Sequence, residues 1–293
     1  HFTPLLLDFP HINPPYCYRC PYGRAYPECG VACAWELERT IQLEGPSSIA
    51  AFIAEPVIGT SAAGVTPPPE YYGIVRDICN RYDVLFISDE VITGFGRTGA
   101  NFGIDHWGVV PDMIVTGKGV GGGYSPLAAV IVSETIYETF ARGSGTHTQG
   151  YTYAGNPLSA AVGLAVLEFV EKNGLVARIA RLESYLREKL ASLRETGIVG
   201  DVRGKGFLMG VEFVRDLETK APFPLDYRLT SRIVAAALKR RLMVIGGMPG
   251  MVDGVLGDHL QITPAFIITE EQIDTAVGIL HESICQVKKE LRV

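Results

Sequence analysis

Between residue 34 and about residue 135, short apolar runs alternate with stretches of helical periodicity. The runs are IAAFIAE (49–55), VLFISDE (84–90), DMIVTGK (112–118) and LAAVIVS (127–133). Runs of this length separated by helices predict β-α units around a mainly parallel sheet, because parallel strands need a crossover connection. A helix is predicted from about Pro69 to Tyr82, with Tyr72, Ile74, Val75 and Ile78 at helical spacing after a proline-rich entrance. A longer amphipathic helix is predicted over 157–172, with Leu158, Ala161, Val162, Ala165, Val166 and Phe169 on one stripe. Another follows over 175–195, with Leu175, Ile179, Leu182, Leu186 and Leu190 facing inward. Strand-like segments near 198–202 and 206–214 come next. A helix at about 226–241 and strands near 242–246 and 259–263 precede a last helix at about 270–290, which opens on the capping-box pattern TEEQ. The chain thus reads as α/β, with a change of domain within or just after the 157–172 helix.

Composition narrows the function classes. Apolar residues make up 47% and charged residues 20%, values of a globular chain able to bury a core. A net charge of −6 without a block of Lys and Arg disfavours nucleic acid and anionic membrane surfaces as partners. No apolar run approaches the roughly 18 residues needed to span a bilayer, and the opening HFTPLLLDFP lacks the features of a secretory signal. A cytoplasmic location is expected. Six cysteines in 293 residues do not make a disulfide scaffold. Cys17, Cys20, Cys29 and Cys33 are spaced C-x2-C-x8-C-x3-C, which reads either as a zinc or iron–sulfur site or as reduced thiols in a turn-rich segment. The expectation is a metal-free cluster. Cys79 and Cys285 fall in helical apolar patterns and are expected in the core.

Three successive apolar runs end in charge: Glu55, then Asp89 with Glu90, then Lys118. The carboxyl ends of parallel strands share one edge, where open α/β folds bind ligands. Strands also end in charge because they emerge into water, an explanation that weakens over three strands in a row. Gly117 and Gly119 flank Lys118 and remove side chains that would block a planar cofactor. A lysine at the end of a buried strand can lose its proton by desolvation and form a Schiff base. Gly117-Lys-Gly119-x-x-Gly122 also matches a dinucleotide pattern, yet no acidic strand end follows at the required distance. The phosphate-loop pattern fails because Gly119 follows the lysine. Asp89 suits a lysine-bound pyridine cofactor, since a carboxylate against the ring nitrogen keeps it protonated. Its bland alternatives are helix capping or an ion pair with Arg97. Glu90 is expected to support the strand end, and His147 to be a loop histidine.

The motifs AAFIAEPVIG, FISDEVITGFGRTG, PDMIVTGKG, GYSPLAAVIV, GYTYAGNPLSAAVGLAVLE, VRGKGFLMGVEF and ITPAFIITEEQID occur in an order that resembles the class III aminotransferases. These are pyridoxal 5'-phosphate (PLP) enzymes of fold type I. The resemblance implies a large PLP-binding domain with a mainly parallel sheet (residues 1–168), and a smaller α+β C-terminal domain (169–293). It implies that Lys118 carries the cofactor and that Asp89 pairs with its ring nitrogen. Val91 matches the residue packing on the ring face, and Glu55 the glutamate near the ring and its aspartate. Thr152 matches the threonine that reaches the phosphate of a neighbouring subunit, which implies a homodimer with shared sites.

Departures from the family pattern also matter. The chain has no initiating Met and is expected to lack the upstream segment that holds a phosphate-binding turn and a ring-stacking aromatic. Many members have Gln where this chain has Ile92. Members acting on α-carboxylates place an Arg where Gln261 stands, and gate it with a glutamate where Thr60 stands. The expected reaction is therefore amino transfer from a terminal amine or ω-amino acid to a small oxo acid such as pyruvate, whose carboxylate would meet another cation such as Arg97. A glutamate-linked aminotransferase, an aminomutase or decarboxylase of the same fold, and a non-catalytic homologue are the alternatives.

Overall fold

A computed structural model describes residues 3–293 of the chain. Two four-stranded sheets organise it. In the first, β1 (Ala51–Ala54), β2 (Leu85–Asp89) and β3 (Met113–Thr116) lie side by side and parallel, and β4 (Ala129–Val132) pairs antiparallel with β3. In the second, the order is β5 (Val199–Lys205), β6 (Leu208–Phe213), β8 (Asp258–Ile262), β7 (Ile245–Gly246), all antiparallel.

Two helices pack beside the first sheet. α1 (Ala32–Glu44), which hydrophobic periodicity did not single out, buries Ala34, Leu37 and Ile41 at helical spacing. They meet Tyr71, Tyr72, Val75 and Ile78 of α2 (Tyr71–Tyr82) and Phe86 of β2 in one apolar cluster. Cys79 is buried there as expected. α3 (Glu134–Arg142) follows β4. Over the second sheet lie α5 (Leu175–Ser192), α6 (Leu229–Lys239) and α7 (Glu270–Leu291). Ile179, Leu186 and Leu190 of α5 meet Ile233 of α6, Ile284 of α7 and Val211, Phe213 and Leu260 of the sheet. α7 starts on the predicted capping box, with Thr269 Oγ1 accepting from Gln272 N and Gln272 Oε1 accepting from Thr269 N. Two orphan N–H groups are satisfied in this way.

Two expectations need correction. α4 (Pro157–Lys172) has the predicted bounds and a capping Asn156, but the stripe read from its sequence is not its packed side. Leu158 and Phe169 are 71% and 55% exposed, and the buried residue is Gly163. Gly163 sits so close to Leu127 that a Cβ there would come within 2.5 Å of its Cδ2, so absence of a side chain sets the contact face. Cys285 is exposed on α7, because Ile284 and Val287 already fill the inward positions around it.

Candidate functional site

The three adjacent parallel strands deliver their carboxyl ends to one edge, and with them Glu55, Asp89 and Lys118. Asp89 is the last residue of β2, and Glu55 and Lys118 stand just past β1 and β3. They are close enough to act on one another electrostatically. Burial raises the Glu55 carboxyl above its usual range, opposed by the Gly59 N–H; neighbouring Asp89 adds to the rise, while Lys118 lowers it. Gly59 N donates to Glu55 Oε2 at 2.8 Å, tying the glutamate to the loop that follows it.

Lys118 adopts φ +39°, the left-handed region, which is unfavourable by roughly 1–2 kcal/mol for a residue with a Cβ. Such an outlier at a ligand-binding edge fits a side chain aimed by the surrounding fold. Lys118 lines an open cleft of about 570 Å³ with Tyr124, Ser125, Pro126, Leu127 and Ala128, within the size range of small-molecule sites. Gly117 is extended at φ −174°, and the nearest atom to a Cβ there, Val91 Cγ1, is 3.5 Å away. A Cβ at Gly119 would meet only a carbonyl at 3.7 Å. Protein packing therefore does not demand either glycine, and the room they leave opens beside the lysine.

A flat pyridine aldehyde fits these residues. Asp89 uses Oδ1 to accept from Val91 N at 3.1 Å, and Oδ2 accepts from no protein group among the described residues. Val91 stands between Asp89 and the Gly117 turn, a position from which it can face a ring. Neither alternative for Asp89 holds: it caps no helix of the described chain and forms no ion pair with Arg97. The buried Glu90 accepts from Ser88, Thr93, Gly103 N and Ile104 N, and thus supports the loop after β2 as expected.

Other residues singled out by sequence lie elsewhere. Thr152 is exposed in a turn and is not gathered with the lysine, and His147 is an exposed loop residue. Arg97 is committed to the fold, which removes it as the free cation for an oxo acid. Its Nη1 donates to Pro264 O at 2.7 Å and Phe207 O at 3.3 Å, with the guanidinium 4.6 Å from the Phe266 ring centre. Burial lowers its pKa to about 10. Cys17, Cys20, Cys29 and Cys33 line one small cavity as free thiols. Burial first, and the Cys17 thiol next, push Cys33 up to about 11. No group of three or more His, Cys, Asp or Glu among the described residues is arranged to hold a metal ion.

Gln261 is buried on β8, and exposed Thr60 sits in the loop following Glu55. The loop that carries Thr60 comes down on the second sheet where Ala63 O lies against Gly210, the pairing partner of Gln261, so the two substrate candidates belong to one neighbourhood. Sequence reading missed the charged residues around them: Arg19, Asp201, Arg203 and Glu212. The signal was present as polar residues at alternate strand positions.

Known proteins resemble the chain over most of its length. The chain is 42% identical over 292 residues to an uncharacterized aminotransferase, YodT, of Bacillus subtilis, covering 99% of this chain and 65% of the relative. It is 37% identical to the diaminobutyrate–2-oxoglutarate transaminase of Halomonas elongata, covering 98% and 61%. A PLP-bound amine transaminase from an uncultivated Pseudomonas species superposes with a TM-score of 0.86 at 33% identity, covering 94% of this chain and 61% of that one. The chain thus spans less than two thirds of the length of these relatives. The class III aminotransferase family model matches residues 1–284. The chain belongs to the class III aminotransferase family.

Proposed function

We propose that the chain carries the catalytic lysine of a PLP-dependent transaminase that takes an amino group from a terminal amine or ω-amino acid and gives it to a small oxo acid such as pyruvate. The observation that carries this reading is the convergence of Glu55, Asp89 and Lys118 at the ends of three neighbouring parallel strands. PLP supplies, when bound, a carbonyl for amine exchange and an electron-withdrawing ring. Lys118 Nζ would hold the cofactor, and its amine would be the base and acid that moves the substrate's proton. Asp89 would hold the proton of the cofactor's ring nitrogen, its Oδ1 being taken by Val91 N. Val91 supports one ring face. Glu55, held by Gly59 N, sets the electrostatics around Asp89. Thr152 contacts the phosphate bound by a second copy, which makes the working form a homodimer.

Gln261 and Thr60 support the donor class. A buried carboxylate is best held by the fixed fork of an arginine, and a neutral amide at that position does not neutralise it. The Pseudomonas structure is that of an amine transaminase, whereas the Halomonas relative is named for diaminobutyrate and 2-oxoglutarate, the pairing of the glutamate-linked alternative. Borohydride treatment of the PLP-loaded protein, followed by peptide mapping, is expected to place the pyridoxyl label on Lys118. A label on Lys205 or another lysine overturns the assignment.

A further inference from the structure

A carboxylate buried without a cation must find its partners among hydrogen-bond donors. Glu90 is fully buried, one residue past Asp89 at the end of β2. Its Oε2 accepts from Gly103 N at 2.7 Å and from the Thr93 hydroxyl. Its Oε1 accepts from Ile104 N at 2.9 Å and from the Ser88 hydroxyl at 3.2 Å. Burial pushes this carboxyl up, and the four hydrogen bonds, rather than a cation, oppose the rise. The two backbone N–H groups sit on different oxygens, and an N–H can only donate. Both oxygens are therefore needed as acceptors.

Those bonds fasten the turn at 90–94 to the loop at 103–104. Within the turn, Gly94 N donates to Glu90 O at 2.9 Å, and a Cβ on Gly94 would stand 2.8 Å from that oxygen. Glu90 N donates to Val115 O of β3 at 2.8 Å, three residues before Lys118. Contacts run from the turn to the neighbouring strand ends. Ile92 fills the space that a Cβ on Gly59 would need, and Gly59 N holds Glu55. Val91 borders Gly117, with its Cγ1 3.5 Å from where a Cβ would stand, and Gly94 O lies 3.7 Å from the same point on Gly119. Lys118, between those glycines, is thus bracketed by two residues of one turn. Its φ of +39° is a conformation that persists only where the surroundings over-determine it.

We propose that Glu90 is a positioning residue: by holding the 91–94 turn on Gly103 and Ile104, it fixes the backbone of Lys118 and the place of Val91, and with them the seat of the cofactor ring. The part that concerns the ring rests on the transaminase reading above, whereas the part that concerns the Lys118 backbone stands without it. Glu90 acts through these neighbours, since its own oxygens are engaged by four donors. Glutamine at this position keeps the size of the side chain and breaks the pattern. Whichever way its amide turns, the NH2 faces a backbone N–H, at Gly103 or at Ile104. The hydroxyls of Ser88 and Thr93 can exchange donor and acceptor roles, but the two N–H groups cannot. One backbone bond is lost, and the turn lifts on that side.

Glu90→Gln and Thr93→Val test this. Amide hydrogen exchange of the chain, with and without PLP, reads the backbone. In Glu90→Gln, exchange is expected to quicken about tenfold or more in peptides covering 91–95 and 117–122, where Val120 N donates to Gly117 O across the lysine. In the PLP-loaded variant, the visible circular dichroism of the bound cofactor is expected to lose about half its amplitude or more, as the ring loses its fixed seat. Turnover should fall about a hundredfold in kcat, with KM for amine and for pyruvate within about twofold. Thr93→Val keeps both backbone bonds and removes one hydroxyl donor, so it should move every readout the same way by less, about fivefold in kcat. Should Glu90→Gln fail to fold, Thr93→Val decides alone. The proposal is overturned by wild-type exchange at 117–122, by unchanged circular dichroism with kcat within about twofold, or by a loss that falls wholly on KM. If exchange at 117–122 quickens while no lysine of the wild type binds PLP, the positioning of Lys118 stands and the transaminase reading falls.

Discussion

The two sheets carry comparably apolar strands and bury them in opposite ways. β6, with sequence LMGVEF, has all six residues buried; β4, with sequence AVIV, has all four exposed. α5, α6 and α7 close over the second sheet, whereas α4 lies against the Lys118 turn and leaves Leu158, Leu164 and Phe169 uncovered. Hydrophobic pattern thus locates a strand or helix without saying which part of the molecule covers it. The second half of the chain holds a core made of its own residues. The first holds the chemistry, at a sheet edge whose geometry depends on loops. Changes at the carboxyl edge of the first sheet are accordingly expected to act on rate, and changes in the core of the second on stability.

The largest expected effect tests the chemical side of that contrast. Asp89→Asn should retain PLP but lose several powers of ten in kcat, because the ring nitrogen loses its stabilised proton. Its unfolding temperature should stay close to that of the wild type. Near-normal turnover would mean that this residue does not activate the ring. Next in size is the stability contrast. Phe213→Ala, in the second core, should cost about 3–5 kcal/mol, while Ile131→Ala on exposed β4 should stay within about 0.5 kcal/mol. Denaturant unfolding of the two variants decides, and equal losses would break the comparison.

Where the halves meet, the expected effect is smaller. Gly210→Ala would drive a Cβ into Ala63 O, so the 59–65 loop must lift from the second sheet. Overpacking of this kind costs about 1–3 kcal/mol. It should also raise KM for both substrates, since the same loop carries Glu55's partner Gly59. A variant with unchanged stability would show that the loop does not press on the sheet.

Much of this was legible in the sequence, for identifiable reasons. The strands and the α5 and α7 helices follow periodicity and capping, which are local, and the Glu55, Asp89 and Lys118 convergence follows from parallel order alone. The misread features share a different origin. Cys285 and the α4 stripe have core-like patterns, but which side is packed depends on distant chain. Arg97 looked free because its partners, the carbonyls of Phe207 and Pro264, are more than a hundred residues away. The Arg19–Glu212–Arg203 cluster joins positions separated by almost two hundred residues, which single-segment patterns do not relate.

The smallest effect concerns the donor, where the two regions meet in one substrate. Gln261 lies on the well-packed second sheet and Thr60 on the loop from the first, so donor choice reads both at once. An α-amino acid such as glutamate would bring a carboxylate against a neutral, buried amide, and taking a carboxylate out of water without a cationic partner is costly. A terminal amine brings no carboxylate to that position. The nearby cations are already engaged: Arg19 is paired with Glu212, Arg203 with Asp201 and Glu212, and Arg97 is held by carbonyls. We therefore expect butane-1,4-diamine to have the higher kcat/KM with pyruvate as acceptor, by at least tenfold, about 1.4 kcal/mol of transition-state preference. Gln261→Arg should narrow or reverse that ratio by restoring a fork for the α-carboxylate. Steady-state kinetics with both donors checks this, and a tenfold preference for glutamate in the unmodified protein would mean that another group holds its carboxylate.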